Sequence, residues 1–179
     1  MSDELNGKTI AFLVANEGVE QVELTAPWEA VTRAGATPVL IAPKAGTVQA
    51  FQHLDKGDVF DVDVTSEAAD AAGYDALVLP GGVANPDQLR GDDPSVGLLN
   101  DVLGSGRPVA AICHAGWMLV EAGAADGRRL TSWPSLRTDL RNAGATWVDE
   151  EVVIDGNLIT SRSPDDLPAF CRAIVDAVA

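Results

Sequence analysis

The strongest chemical signal in the sequence is a cysteine at the junction between an apolar run and a helical pattern. In the segment AAICHAGWML the apolar run stops at Cys113, and the helical pattern begins directly after it. This arrangement is typical of a nucleophile elbow, with cysteine in the place of serine. Backbone amides at a helix N-terminus favour the thiolate, which is the nucleophilic and the oxidisable form of cysteine. We therefore predict a reactive thiolate at Cys113; a buried cysteine that only fills space is the alternative.

Two histidines are available as partners for this thiol. His114 follows Cys113 directly, and although neighbours in a helix usually point apart, a strained elbow can bring both side chains into one pocket. His53 lies in the polar segment AFQHLDKGD, where a solvated loop is the main interpretation and a place in the pocket is the alternative. The local pattern alone leaves the role of His114 open.

A group of glutamates follows the first apolar run, in the segment ANEGVEQVEL. Glu20 and Glu23 are three residues apart, so on a helix they share a face. A carboxyl group near a thiolate has a raised pKa, and as a neutral acid it could donate a hydrogen bond to the sulfur. The alternative is that these glutamates, with Glu17, only favour the start of a helix.

A further strand end carries the turn Pro80-Gly81-Gly82. The backbone amides of Gly81 and Gly82 could form part of an oxyanion hole that faces Cys113. The alternative is that the turn simply ends a strand. Neither of the phosphate-binding patterns GxxxxGK[ST] and GxGxxG occurs in the chain, so this turn does not indicate a nucleotide site.

Four apolar runs bounded by turn signals predict the buried strands that would position these residues. Helical patterns separate the runs, so the sequence predicts an α/β fold with a mostly parallel central sheet. Ligands bind beyond the carboxyl ends of the strands in such sheets, which is where the cysteine, the glutamates and the glycines lie. Residues 43–52 are predicted as a loop, and residues 59–64 as an edge strand or hairpin arm. The predicted buried strands are Thr9–Ala15, Thr37–Ala42, Asp75–Leu79 and Pro108–Ile112.

Length and composition limit the function classes that are open to the chain. Its 179 residues fit one domain, residues 1–179, and a net charge of −15 would repel nucleic acid and an anionic membrane surface. No apolar run could span a bilayer and the first residues lack a secretory signal pattern, so we expect a cytoplasmic protein. Cys113 and Cys171 are far apart and lack metal-ligand spacing, so we expect no disulfide, no metal and no cofactor.

Taken in order, these segments resemble the ThiJ/PfpI superfamily, in particular its branch of PfpI-type intracellular peptidases and stress proteins. The resemblance covers nearly the whole chain and rests on ANEGVEQVEL, DALVLPGG, NPDQLR, RPVAAICHAG, the stretch LTSWPSLRTDLRNAGATWVDEEVVIDGNLITSR and the late SPDDL. It implies a flavodoxin-like three-layer sandwich of the class I glutamine amidotransferase-like type. A glutamine amidotransferase itself is excluded, because that triad needs a late histidine and no histidine follows His114.

The resemblance also implies a role for each matching residue. Cys113 would be the elbow nucleophile with His114 as its immediate partner, and Glu23 would be the carboxylic acid that hydrogen-bonds the cysteine. The amides of Gly82 and His114 would form the oxyanion hole. Asp87 would be the third triad member, contributed across the interface of a homodimer or larger assembly, at a position where the peptidase prototypes have glutamate.

The function that the resemblance implies is a cysteine-dependent hydrolase of a stress-response type. Its activity would be that of a deglycase, a glyoxalase-like enzyme or a peptidase, acting on small carbonyl adducts or short peptides. The alternative from another class is a non-catalytic redox sensor or holding chaperone, in which the same thiolate is oxidised. Repeated product release that is lost on Cys113→Ala would identify an enzyme, whereas stoichiometric modification alone would identify a sensor.

Overall fold

A seven-stranded sheet forms the centre of the computed structural model, which describes residues 4–179. The strands are β1 (Thr9–Leu13), β2 (Glu17–Glu20), β3 (Thr37–Ala42), β4 (Thr47–Gln52), β5 (Asp55–Asp61), β6 (Val64–Thr65), β7 (Ala76–Leu79), β8 (Val109–Ile112), β9 (Arg129–Leu130), β10 (Thr146–Trp147), β11 (Val152–Asp155) and β12 (Leu158–Ser161). The α-helices are α1 (Gln21–Arg33), α2 (Ala84–Leu89), α3 (Asp93–Gly104), α4 (Gly116–Glu121), α5 (Arg137–Asn142) and α6 (Leu167–Val178).

The strands of the central sheet follow the order β11-β12-β8-β7-β1-β3-β6. All neighbours pair in parallel except β11, which returns antiparallel to β12 through a hairpin. The interior strands β7 and β8 are buried along their whole length, which explains why they appear in the sequence as continuous apolar runs. The predicted α/β fold with a mostly parallel sheet is confirmed.

Helices cover both faces of this sheet, so the molecule has three layers. Ile10 and Phe12 of β1 pack in one core with residues of α1 and α6, including Val31 and Phe170. The alternate residues of β1 pack in the opposite core with residues of α3, α4 and α5. This alternation follows from the two-residue period of a strand, which sends successive side chains to opposite faces.

A second sheet of three strands, in the order β2-β4-β5, lies beside the first strand end. Two sequence predictions were wrong here. Residues 43–52 are not all loop, because Thr47–Gln52 forms β4. The helical placement of Glu17 and Glu20 is also wrong, because Glu17–Glu20 is a strand that pairs with β4 and the helix that carries Glu23 begins only at Gln21. In β4, Val48 and Ala50 are fully buried, but small and polar neighbours hide this alternation in the sequence. The prediction of a hairpin arm near residue 59 is confirmed by β5, which pairs antiparallel with β4.

Candidate active site

Cys113 lies at a sharp turn directly after β8 at the carboxyl edge of the sheet. Its backbone φ is +62°, a conformation that side-chain-bearing residues rarely adopt, and a short 3₁₀ turn leads from it into α4. The Cys113 carbonyl oxygen accepts a hydrogen bond of 3.2 Å from the Trp133 amide. The residue is 6% exposed. The predicted strand–turn–helix elbow is therefore the geometry that the chain adopts.

Glu23 brings a buried carboxyl group to this cysteine from the first turn of α1. Its side chain is fully buried, and Oε2 accepts a 2.8 Å hydrogen bond from the Gly81 amide. Its Oε1 is also buried and accepts from no nitrogen or oxygen donor, and the Cys113 thiol is close enough to interact with the carboxyl group. Burial raises the pKa of Glu23 to about 7, so the carboxyl group holds a proton over much of the neutral range.

The electrostatics of Cys113 differ from the sequence expectation of a thiolate favoured by a helix N-terminus. Burial raises the pKa of the Cys113 thiol, and the negative charge of ionised Glu23 raises it further. The amides of Gly82 and His114 lower it, but not enough to compensate. Two negative charges in one buried site repel each other, so a thiolate forms there when Glu23 holds the proton.

The turn between β7 and α2 packs so closely on this site that only glycine fits. A Cβ atom on Gly81 would lie 2.7 Å from the Cβ of Cys113 and 2.8 Å from the carbonyl oxygen of Ile112. Gly82 has a φ of +84°, and a Cβ there would lie 2.7 Å from the Glu20 nitrogen. These close approaches bring the Gly81 amide to Glu23 and the Gly82 amide to the sulfur.

His114 is brought to the cysteine despite being its neighbour in the chain. Its Nδ1 lies 3.2 Å from the Cys113 sulfur, and the residue is 9% exposed. The imidazole stacks on Trp133, with 5.6 Å between ring centroids, and meets the edge of Trp117 at 5.4 Å. Burial lowers the pKa of His114, so the imidazole is neutral at pH 7.

Asp87, in contrast, does not join the other predicted site residues within one chain. Its carboxylate is 57% exposed and forms an ion pair of 2.9 Å with Arg90. The guanidinium of Arg90 lies 5.1 Å from the Trp117 ring, which itself contacts His114. Asp87 forms no hydrogen bond with His114 of the same chain, so its role across a subunit interface stays a prediction.

Asn85 is a buried polar residue of this site that the sequence analysis missed. Its Oδ1 accepts a 2.6 Å hydrogen bond from the Ala15 amide, and its Nδ2 donates to the carbonyl oxygens of Pro80 and Gly81 at 2.9 and 3.0 Å. The side chain therefore joins the chain after β1 to the turn after β7. The only signal in the sequence is an asparagine placed three residues after the paired glycines.

A cavity of about 270 Å³ opens in front of the cysteine. A larger cavity of about 710 Å³ lies between α6 and the β11–β12 hairpin, but its lining contains neither cysteine nor histidine. Within residues 4–179, no group of three or more histidine, cysteine, aspartate or glutamate side chains could hold a metal ion. No helix in the same range is long and apolar enough to cross a membrane. The cavity at the cysteine is lined by Glu20, Glu23, His53, Cys113, Trp133, Ser163, Pro164 and Asp165.

The fold and the site together define a three-layer α/β protein with a cysteine at a strained strand–turn–helix elbow and a buried carboxyl group beside it. Residues 8–177 match the model of the DJ-1/PfpI family, and the chain belongs to this family. It is 40% identical to a deglycase of Pyrococcus horikoshii, over 93% of this chain and 96% of that protein. It is 42% identical to protein/nucleic acid deglycase 2 of Escherichia coli, over 92% of this chain and 94% of that protein.

Solved structures of related proteins have the same fold. Drosophila melanogaster DJ-1β superposes with a TM-score of 0.85 at 30% identity, covering 100% of this chain and 91% of that one. A two-domain protein of Anabaena variabilis, with a DJ-1/ThiJ/PfpI-like and a ferritin-like domain, superposes with a TM-score of 0.88 at 33% identity. That match covers 94% of this chain and 47% of the two-domain chain, so this chain spans about half of its length. The relatives named as deglycases support a role of the hydrolase type.

Proposed function

We propose that this protein is a cysteine-dependent hydrolase of a stress-response type that acts on small carbonyl adducts or short peptides. The observation that carries the proposal is the contact of Cys113, at its strained elbow, with the buried carboxyl group of Glu23 and with Nδ1 of His114. Such a group of nucleophile, proton carrier and base is what acyl transfer requires. The deglycase names of two relatives, each covering more than nine-tenths of this chain, support the same class of reaction.

For an amide-type substrate, the reaction would begin with a Cys113 thiolate whose lost proton is held by Glu23 or by His114. The sulfur forms a bond to the carbonyl carbon, and the carbonyl electron pair moves onto oxygen. The amides of Gly82 and His114, which interact with the sulfur, would stabilise that oxyanion. Collapse breaks the carbon–nitrogen bond, and the leaving amine takes the proton. Water then hydrolyses the Cys113 thioester to a carboxylic acid and a free thiol.

The cavity indicates the size of the reacting group. A volume of about 270 Å³ accommodates a small acyl or carbonyl fragment but not a folded protein domain. We expect a substrate to place its carbonyl group against Cys113 while its remainder lies outside the cavity. The end of a short peptide meets this requirement through the step above. In a methylglyoxal adduct the amine is on the carbon next to the carbonyl group, so there the sulfur would bond to that carbon while its carbon–nitrogen bond breaks and the leaving amine takes the proton.

One observation favours the alternative of a non-catalytic redox sensor or holding chaperone. Burial raises the pKa of the Cys113 thiol, which reduces the fraction of thiolate available for turnover. A sensor needs only one slow oxidation per chain, so it would tolerate this reduction. The two functions use the same thiol, and multiple turnover separates them.

A substrate screen on the purified protein tests the proposal. The substrates are methylglyoxal adducts of N-acetylated arginine, lysine and cysteine, together with short fluorogenic peptides. We expect repeated product release that is lost in Cys113→Ala. Cys171→Ala is the matched control and should keep full activity, because Cys171 lies on α6 outside the cavity. Stoichiometric modification of Cys113 without turnover would contradict the proposed hydrolase function and favour the redox sensor.

A further inference from the structure

One imidazole, that of His53, lines the cavity in front of Cys113, and the reaction described above does not use it. His53 lies at the turn between β4 and β5 and shares the cavity wall with Cys113, Glu23 and Trp133. Its side chain is exposed, whereas His114 is buried against two tryptophan rings. The cavity wall therefore carries a solvent-exposed histidine, His53, while His114 lies behind Cys113 outside the lining and contacts the sulfur through Nδ1.

The backbone at His53 is held in a conformation that a side-chain-bearing residue rarely adopts. Its φ is +65°, and among non-glycine residues in the described range 4–179 only Cys113 shares a positive value. The His53 amide donates to both carboxylate oxygens of Glu20, at 3.1 and 3.4 Å. Glu20 immediately precedes α1, whose first turn carries Glu23. The hairpin turn is thus tied to the same segment that supplies the buried acid, and such strained positions persist where the surroundings fix them.

We propose that His53 is the general base for the second half of the reaction, the hydrolysis of the acyl group on Cys113. This inference rests on the proposed hydrolase function. His53 removes a proton from a water molecule in the cavity while the water oxygen forms a bond to the thioester carbonyl carbon. The carbon–sulfur bond breaks with its electron pair on sulfur, the carboxylic acid leaves, and His53 releases the proton to solvent.

The positions of the two histidines support a role for His114 in the first step and for His53 in the second. His114 places Nδ1 at 3.2 Å from the sulfur, so this nitrogen is engaged beside the atom that forms the first bond. His53 lines the cavity and is exposed to solvent, so a water molecule in the cavity can contact its imidazole. A general base acts within hydrogen-bonding distance of the water that it activates, or through one further water molecule.

The test uses His53→Gly, because glycine adopts a positive φ without strain and the substitution leaves the turn geometry intact. The probe is p-nitrophenyl acetate, an activated ester that acetylates the cysteine, with Cys113→Ala measured as background. We expect His53→Gly to release one equivalent of p-nitrophenol per chain as fast as the wild type, followed by steady-state turnover at least about tenfold slower. Intact mass spectrometry should show acetylated Cys113 accumulating, and free imidazole should restore turnover.

The control is Leu54→Ala on the same turn, since Leu54 is 90% exposed and does not line the cavity. It should retain wild-type burst and steady-state rates. Two results would overturn the role of His53 without contradicting the proposed hydrolase function. One is unchanged turnover in His53→Gly, and the other is loss of both the burst and the turnover without rescue by imidazole. A wild-type protein that is acetylated once and never turns over would overturn the proposed hydrolase function, and this inference with it.

Discussion

A proton shared between Glu23 and Cys113 should decide when the candidate site is reactive. Ionised Glu23 raises the pKa of the thiol, whereas protonated Glu23 removes that repulsion and can donate a hydrogen bond to the thiolate. The first proton lost from the pair leaves near pH 7, because burial raises the pKa of Glu23 to about 7. The reactivity of Cys113 should follow the loss of that proton rather than the ordinary titration of a cysteine.

Replacing Glu23 should therefore shift the reactivity of Cys113 to higher pH. In the wild type, we expect the alkylation rate with iodoacetamide to rise as the pH approaches 7 and then to level. In Glu23→Leu the thiol must ionise in a buried site without a proton-sharing partner, so the rate at pH 7 should fall and rise only in alkaline solution. Glu23→Gln keeps a hydrogen-bond donor, so its alkylation rate at pH 7 should lie between those of the wild type and Glu23→Leu. An unchanged pH profile in Glu23→Leu would exclude Glu23 from the reactive site.

At the scale of elements, the site depends on how closely the turn after β7 approaches β2. A Cβ atom on Gly82 would clash with the carbonyl oxygen of Gly18, which is a backbone atom that cannot move aside cheaply. The same segment of β2 ends at Glu20, which holds the His53 turn. The small three-stranded sheet and the central sheet thus meet at this contact.

Gly82→Ala should therefore destabilise the protein strongly. The substitution adds a backbone clash to a φ of +84° that alanine adopts with strain, so we expect a loss of about 2 kcal/mol or more in the free energy of unfolding. Gly97→Ala in α3 is the matched control. A Cβ atom there meets nothing within 4 Å, and helix propensity predicts a gain of roughly 0.5–1 kcal/mol. Urea unfolding of both variants measures these changes, and equal effects would contradict the close packing of the turn.

Much of this architecture could be predicted from the sequence. The parts that could not be predicted share one cause, which is their dependence on contacts between distant segments. Central strands such as β8 are buried on both faces, so they appear as apolar runs that local pattern detects. The strand β2 carries two glutamates in four residues and is ordered by pairing with β4, a distant segment. Likewise, the pattern located Cys113 and Glu23, but the raised pKa of the thiol arises from burial by the whole fold. His53 reaches the cavity through the same pairing of β2 with β4, because it lies on the turn that follows β4.

For the whole molecule, the sequence prediction of a homodimer or larger assembly leads to a test of Asp87. Its carboxylate is exposed while paired with Arg90, so a second copy could reach it. We expect sedimentation velocity at micromolar concentration to show a dimer or larger species. Asp87→Asn should reduce turnover by about tenfold or more without changing the alkylation rate of Cys113. A clean monomer with full activity would contradict the shared site.

The charge of the whole molecule should discriminate among substrates. The net charge is −15, and the cavity lining contributes Glu20, Glu23 and Asp165 but no lysine or arginine. We expect kcat/KM for a methylglyoxal adduct of N-acetylarginine amide to exceed that for the corresponding adduct of guanosine monophosphate by about tenfold or more. The ratio should fall as salt is added, because ions screen the field of the protein. A ratio that does not change with salt would exclude charge as its origin.

The positive φ at Cys113 places the sulfur in the candidate site but should lower the thermal stability of the protein. A cysteine held at +62° stores strain of about 1–3 kcal/mol, which the rest of the fold must offset. Glycine would relieve this strain and alanine would not, so Cys113→Gly should melt above Cys113→Ala by roughly 2–4 °C for each 1 kcal/mol relieved. Differential scanning calorimetry of the two inactive variants measures the difference. Equal melting temperatures would mean that the elbow is unstrained. A higher melting temperature for Cys113→Gly would measure how much stability the protein loses by holding a cysteine in this conformation.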